Sequence, residues 1–275
     1  MLELPESQTL ALQLRKAVAG KTIEKVTANA TPHGFAFYHG DPAGYDILLR
    51  GKTVDGVRAH GGQVEIAAGD ARLVVNDGIN MRLYPAGSKR PDKHQLLVEL
   101  SDGSALVCTV QMYGGMQAFK ADAYDNPYYH IAKTKPFPLS DAFDEAYFES
   151  MLKEAKPTLS AKAFLATEQR IPGLGNGVLQ DILFIARIHP KTKLSTLTKE
   201  QKSRLFAAVK ETLREMTDRG GRDTEKDLYG QPGGYPCLLS KNTLDKPCPI
   251  CGGALVRQAY LGGNIYFCPA CQLEK

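Results

Sequence analysis

The chain has 275 residues, of which 23% are charged and 43% hydrophobic. This balance excludes a disordered chain, and the length predicts two domains, or one with appendages, around a sizeable core. No run of 18 apolar residues exists to cross a membrane, and Met-Leu-Glu-Leu-Pro-Glu lacks the basic and apolar segments of a secretory signal, so a cytoplasmic protein is expected. The formal charge of +4 is unevenly spread. Residues 1–150 hold 15 basic and 18 acidic side chains, residues 151–275 hold 19 and 12. A basic C-terminal half suits a polyanion such as nucleic acid; a solvated basic surface is the competing reading.

Pro5 and Glu6 open a predicted helix, with proline in the first turn and an acid at the positive end of the dipole. Leu10, Leu14 and Val18 share one face, and Gly20 ends it. Residues 22–120 read as short, mostly antiparallel strands, clearest at 71–75, 96–100 and 105–110, with Ser101-Asp102-Gly103 turning between the last two. Phe35, Phe37 and Tyr38 alternate imperfectly and read as half-buried strand. Residues 121–140, with Pro127, Pro136 and Pro138, read as a linker. Helical patterns follow at 144–153, 160–167, 177–186 and 199–217. Residues 220–247 are polar and glycine-rich, and a mobile loop is expected there.

Cys248-x2-Cys251 and Cys268-x2-Cys271 are two knuckles at zinc-ribbon spacing. Two thiolates of one knuckle reach a single ion and the second knuckle completes a tetrahedron, so one structural Zn2+ is expected. Two disulfides are the alternative, which an oxidising compartment would favour. Cys108 reads as a buried thiol and Cys237 as a loop residue.

Between two helical patterns lies Ile171-Pro172-Gly173-Leu174-Gly175-Asn176-Gly177-Val178. Its glycines permit a tight turn, the next helix offers free N–H groups to a phosphate, and Asn176 adds a donor. This turn, with Glu3-Leu4-Pro5-Glu6, Ala186-Arg187-Ile188-His189-Pro190 and Phe267-Cys268-Pro269-Ala270-Cys271-Gln272, resembles formamidopyrimidine-DNA glycosylase and endonuclease VIII over essentially the whole length. The resemblance implies an α+β fold: an N-terminal helix with an antiparallel β-sandwich at 1–125, a helix-two-turn-helix domain at 141–235 and a zinc ribbon at 241–275. It also implies a monomer on duplex DNA, in the cytoplasm at the nucleoid, with the damaged base flipped from the stack.

The same resemblance implies chemistry that this chain only partly retains. Family members use an N-terminal proline amine as nucleophile, assisted by the next glutamate. Glu3 and a second family acid, Glu6, are present, but Leu2 stands in the proline's place and Met1 would be retained. The family's catalytic lysine aligns with His60, and its phosphate-binding ribbon arginine with Gly263, beside Asn264. The residues that fill the gap left by a flipped base align with Ile79 and Gln111-Met112-Tyr113, with Met116 a further wedge candidate; plain core is the competing reading. Gly175 and Asn176 carry over as DNA contacts, and Lys241, beside Asn242, as a phosphate contact. Asp223, Glu225 and Asp227 fall where the family holds the flipped base. Arg58 and Arg82 are candidates for the cleft, whereas His94 reads as surface and His189 as structural.

The expected function is a DNA base-excision glycosylase with altered or absent AP-lyase chemistry. A catalytically inactive damage binder is the alternative, and a zinc-ribbon RNA-binding module the further one. Competition between duplex DNA and structured RNA separates the last from the first two.

Overall fold

A computed structural model describes residues 2–274. Helix α1 (Leu4–Val18) begins with Pro5 in its first turn, and the Glu6 carboxylate accepts from the Glu3 backbone N–H at 3.3 Å. Leu10, Leu14 and Val18 are buried on one face as the spacing required, and Gly20 turns the chain out at φ +79°.

Strands β1 (Ile23–Ala28), β2 (Ala36–Tyr38), β3 (Val54–His60), β4 (Gln63–Ala68), β5 (Ala71–Tyr84), β6 (Leu96–Leu100) and β7 (Ala105–Lys120) form one sheet in the order β1-β6-β7-β5-β4-β3. All these pairs are antiparallel; β2 adds in parallel to β7. A short helix, α2 (Tyr45–Leu49), precedes β3. Strands β5 and β7 are much longer than their clearest sequence signals. The Asn76-Asp77-Gly78 and Gly114-Gly115 segments look like breaks, but they sit at a bulge in the β5–β7 ladder between Asp77 and Ile79. Strands β5 and β7 pair with each other on both sides of the bulge, while β4 and β2 add to the strands on one side of it and β6 on the other, so the sheet folds over one core. Val64, Ile66, Leu73 and Met116 come from one half, and Met81, Val98, Leu106 and Cys108 from the other.

The stretch 121–140 is corrected. It contains helix α3 (Pro127–Thr134), because Pro127 occupies the first turn, where no N–H is needed, and the Asn126 side chain accepts from the N–H groups of Tyr128 and Tyr129. Tyr129 is buried with Val74 and Phe119, and its hydroxyl bonds Glu65.

Helices α4 (Glu145–Glu154), α5 (Ala161–Ala166), α6 (Val178–Ile185) and α7 (Lys199–Asp218) follow at the expected places. Asp144, Ser160 and Thr198 cap three of them. Their core includes Phe148, Phe164, Val178, Leu205 and Val209, and it takes in Leu4 from α1. In return, Leu228 from the loop after α7 enters the sandwich core. That loop is the second correction: residues 220–239 pack, with Arg222, Leu228, Tyr235 and Leu239 buried. Its apolar residues follow no period, so no pattern announced their burial. A hairpin of β8 (Val256–Tyr260) and β9 (Gly263–Phe267) closes the chain. Among the described residues no helix is long and apolar enough to cross a membrane.

Candidate nucleic-acid interface

The first residues of the chain lie on the seam between the sandwich and the helices. Leu2 is buried, and its N–H donates to Asp77 O at 2.7 Å, in the bulge of β5. Leu4 N–H donates to Gly173 O at 2.8 Å. Glu3, between them, is only 3% exposed. Its carboxylate accepts from Gly175 N–H at 3.2 Å, Gly177 N–H at 2.8 Å and Val178 N–H at 2.8 Å. These are free donors at the N-terminal end of α6, where the dipole also favours a negative group. The glycine-rich turn therefore binds an anion, but the anion is the chain's own Glu3.

Arg222 completes the cluster. It is buried, and its guanidinium grips Glu6 in a fork, Nε to Oε1 at 2.9 Å and Nη2 to Oε2 at 2.8 Å, while Nη1 lies 3.5 Å from Glu3 Oε1. Burial pushes the Glu3 carboxyl above its usual range, outweighing the attraction of Arg222 and the α6 N–H groups. Burial pushes Glu6 the same way, but the ion pair and hydrogen bonds from Arg222 prevail and hold it below its usual range. Arg222 itself is held well above its ordinary value by the two glutamates, against the effect of burial. No spacing rule pointed to Arg222; an arginine inside a glycine-rich loop reads as a surface cation.

Two glycines are required here. A Cβ on Gly175 would lie 2.7 Å from the Glu3 carboxyl carbon, and one on Gly177 would lie 1.6 Å from Arg222 Nη1. Gly177→Ala should therefore cost about 1–3 kcal/mol by overpacking. A thermal melt equal to the parent's would show that Arg222 is free to move aside.

The other expected site residues divide. Met1 lies outside the described residues. His60 ends β3 and does not join Glu3. The pocket beside Leu2 and Glu6 is lined by Thr9, Arg82, Arg222 and Asp227, whereas His60 lines a separate one with Gln8, Lys133, Lys135 and Pro172. Its Nε2 is buried without a hydrogen-bond partner, and burial pushes its pKa down although Glu65 pulls upward. The physical reason is the Gly61-Gly62 turn, which packs so tightly on Pro172 and Gly173 that a Cβ on Gly61 would meet Pro172 Cβ at 2.7 Å. Ile79 and Met116 are corrected as wedge candidates: both are buried in the sandwich core. Met112 and Tyr113 are exposed on β7. Arg82 lines the first pocket; Arg58 and Lys241 are exposed. Asp227 accepts from Gln13 Nε2 at 2.8 Å and from the N–H groups of Tyr229 and Gln231, and Asp223 accepts from Cys237 N–H, so both shape their own loop.

Asn176 joins the glycine-rich turn to the hairpin. Its Nδ2 donates to Asn264 O at 3.0 Å, as does Gln180 Nε2 at 3.1 Å, and Tyr266 N–H donates back to Gln180 Oε1 at 3.0 Å. The donor expected to face a phosphate is thus turned to the hairpin, against Gly263, where a Cβ would make only an ordinary contact with the Asn176 amide. Arg257, to which no motif in the sequence points, reaches Asn264 Oδ1 from β8 at 3.1 Å.

Below the hairpin the sulfurs of Cys248, Cys251, Cys268 and Cys271 all lie within 4.8 Å of one another. Cys248 and Cys271 are 3.8 Å apart, Cys251 and Cys268 3.5 Å, and all are free thiols rather than disulfides. Four converging sulfurs fill a tetrahedral set and fit a metal ion held for structure.

A bent antiparallel sandwich, a helical lobe joined to it at a glycine-rich two-turn segment and a four-cysteine ribbon define the helix-two-turn-helix class of DNA-binding proteins. Residues 1–141 match the model of the formamidopyrimidine-DNA glycosylase N-terminal domain, and residues 135–227 match that of the formamidopyrimidine-DNA glycosylase H2TH domain. The chain belongs to the formamidopyrimidine-DNA glycosylase family. It is 31% identical to the formamidopyrimidine-DNA glycosylase of Symbiobacterium thermophilum, covering 99% of this chain and 89% of that one, and 30% identical to that of Thermus thermophilus, covering 100% and 99%. Among solved structures it is similar to the Lactococcus lactis protein in complex with DNA containing an abasic site, with a TM-score of 0.84, 25% identity, and coverage of 99% of this chain and 100% of that one.

Proposed function

We propose that this chain is a DNA base-excision glycosylase that binds damaged duplex DNA, flips the damaged base and removes it, with its AP-lyase chemistry altered or absent. The observation that carries the reading is the arrangement around Leu2. Its nitrogen is an amide that donates to Asp77 O, its lone pair delocalised into the carbonyl and not available to a sugar carbon, while the carboxylate of Glu3 lies on the seam. An imine would have to come from the terminal amine of Met1, up to about 3.6 Å of chain further out. Burial raises the pKa of Glu3 above its usual range, a direction that suits a group that exchanges protons. Gly175, Asn176, Lys241, Gly263 and Asn264 remain the proposed DNA contacts, acting through backbone and ribbon placement. The ribbon metal is proposed to be Zn2+, one per chain. The three-part division at 1–125, 141–235 and 241–275, a monomeric state and a cytoplasmic place at the nucleoid complete the proposal.

One observation favours the second reading, a damage binder that does not cut. The Glu3 carboxylate already receives three backbone N–H groups and Arg222, which leaves it little capacity to activate a water. Borohydride trapping on an abasic duplex and base release from lesion-bearing duplexes test both. The glycosylase reading expects base release that Glu3→Gln abolishes without loss of binding. Tight binding with no base release from any lesion would establish the binder instead.

A further inference from the structure

Two exposed segments meet at the rim of this seam. Strand β7 is buried up to Val110, exposes Gln111, Met112 and Tyr113, and is buried again from Gly114 to Phe119. The short β2 lies parallel to that second part. Phe37 pairs with Gly115, Tyr38 with Met116, and Gly114 N–H donates to Phe35 O at 3.0 Å. Alternation along β2 turns Tyr38 inward, where its hydroxyl donates to Gln95 O, and turns Phe37 to solvent; Phe35, in the turn just before β2, is exposed as well. Phe35 is 62% exposed, Met112 68% and Tyr113 39%. A Cβ on Gly115 would lie 2.4 Å from Asn76 Oδ1, so this glycine keeps β7 close to β5 where the exposed stretch of β7 ends. Tyr113 precedes Gly114, which pairs with Asp77 at the seam, and burial raises its hydroxyl pKa, with Asp77 and Glu3 raising it further.

Isolated exposed apolar residues are ordinary, but several on adjacent strands mark a binding surface. Aromatic and thioether side chains offer faces on which any unstacked base can lie, while residues 33–38 carry no lysine or arginine for a phosphate. We propose that Phe35 stacks on an unpaired nucleobase beside the site, extending the edge formed by Met112 and Tyr113, so that this surface favours DNA whose stack is already broken. The inference rests on the DNA-binding reading above.

The test is the binding of Phe35→Ala to three fluorescent DNAs of equal length: an intact duplex, a duplex with an abasic site and a duplex with a central bubble, each over a salt series. The variant should bind abasic and bubble DNA on the order of tenfold more weakly, and intact duplex within about twofold of the parent. Its slope of log affinity against log salt should be unchanged, because no phosphate contact is lost. Its melting temperature should also match, because Phe35 faces solvent. Equal weakening on all three DNAs, a changed slope, unchanged affinity throughout, or an effect on self-association alone would overturn the stacking role. Failure of the parent to bind any of the three would overturn the DNA-binding reading itself, a result distinct from each of these.

Discussion

Arg222→Met is expected to lower the unfolding free energy by about 3–5 kcal/mol at neutral pH, the usual cost of removing one partner from a buried ion pair. Two buried carboxylates, Glu3 and Glu6, would lose their cation at once. The loss should shrink in acid. Glu6 is held below its ordinary 4.5, so in the parent it contributes stability that is present above about pH 4.5 and fades as pH falls through its lower folded value. Glu3 is raised above 4.5, so its contribution has the opposite sign: it is present below about pH 4.5 and lost as pH rises through the folded value. Without Arg222 both carboxyls would rise and take up protons, and the two stability curves should converge as pH falls. Urea denaturation across pH reads this directly. Adding Glu3→Gln and Glu6→Gln to Arg222→Met removes the unpaired charges and should restore part of the loss. A single variant as stable as the parent at pH 7 would mean that water reaches the cluster and the clamp contributes nothing.

Removing the ribbon metal, by chelation or by Cys268→Ser, should unfold residues 244–274 and leave the rest folded. The ribbon buries only Cys248, Leu255, Ile265, Phe267, Cys268 and Gln272, with Leu239 and Phe184 of α6 packed against part of this set, too small a core to stand alone. Structural zinc contributes roughly 10–16 kcal/mol of apparent binding free energy at such sites, comparable to the stability of a whole domain. The helical lobe keeps its own core, including Leu174, Leu183, Leu205 and Val209, and should persist. Hydrogen exchange should show lost protection confined to the ribbon. Duplex affinity should fall at least about tenfold, because Asn176 and Gln180 lose the Asn264 carbonyl that fixes them. Unchanged protection after quantitative metal removal would show that the ribbon folds by packing alone.

Local chemistry was legible wherever a short-range rule applied. Pro5 and Gly20 bounded α1, Ser101-Asp102-Gly103 set the hairpin between β6 and β7, and the four cysteines announced their cluster by spacing. Rules also misled where their sign depends on position. Pro127 reads as a breaker, yet in the first turn after Asn126 it starts α3. Met112 and Met116 lie four residues apart on one strand and carry the same side chain, but only Met112 is exposed, because the bulge changes which face looks inward.

The sequence by itself determined the family, the type of most helices and strands, the four-cysteine cluster and the leucine before Glu3, because each is carried by residues adjacent or regularly spaced along the chain. Only the tertiary structure decided that Glu3 occupies the glycine-rich turn, that Arg222 reaches it across more than 200 residues, that His60 faces another pocket and that Phe35 joins Met112 and Tyr113. Those outcomes depend on which distant segments share a volume. Burial, charge pairing and close backbone approach act through space, and no periodicity in the chain encodes them.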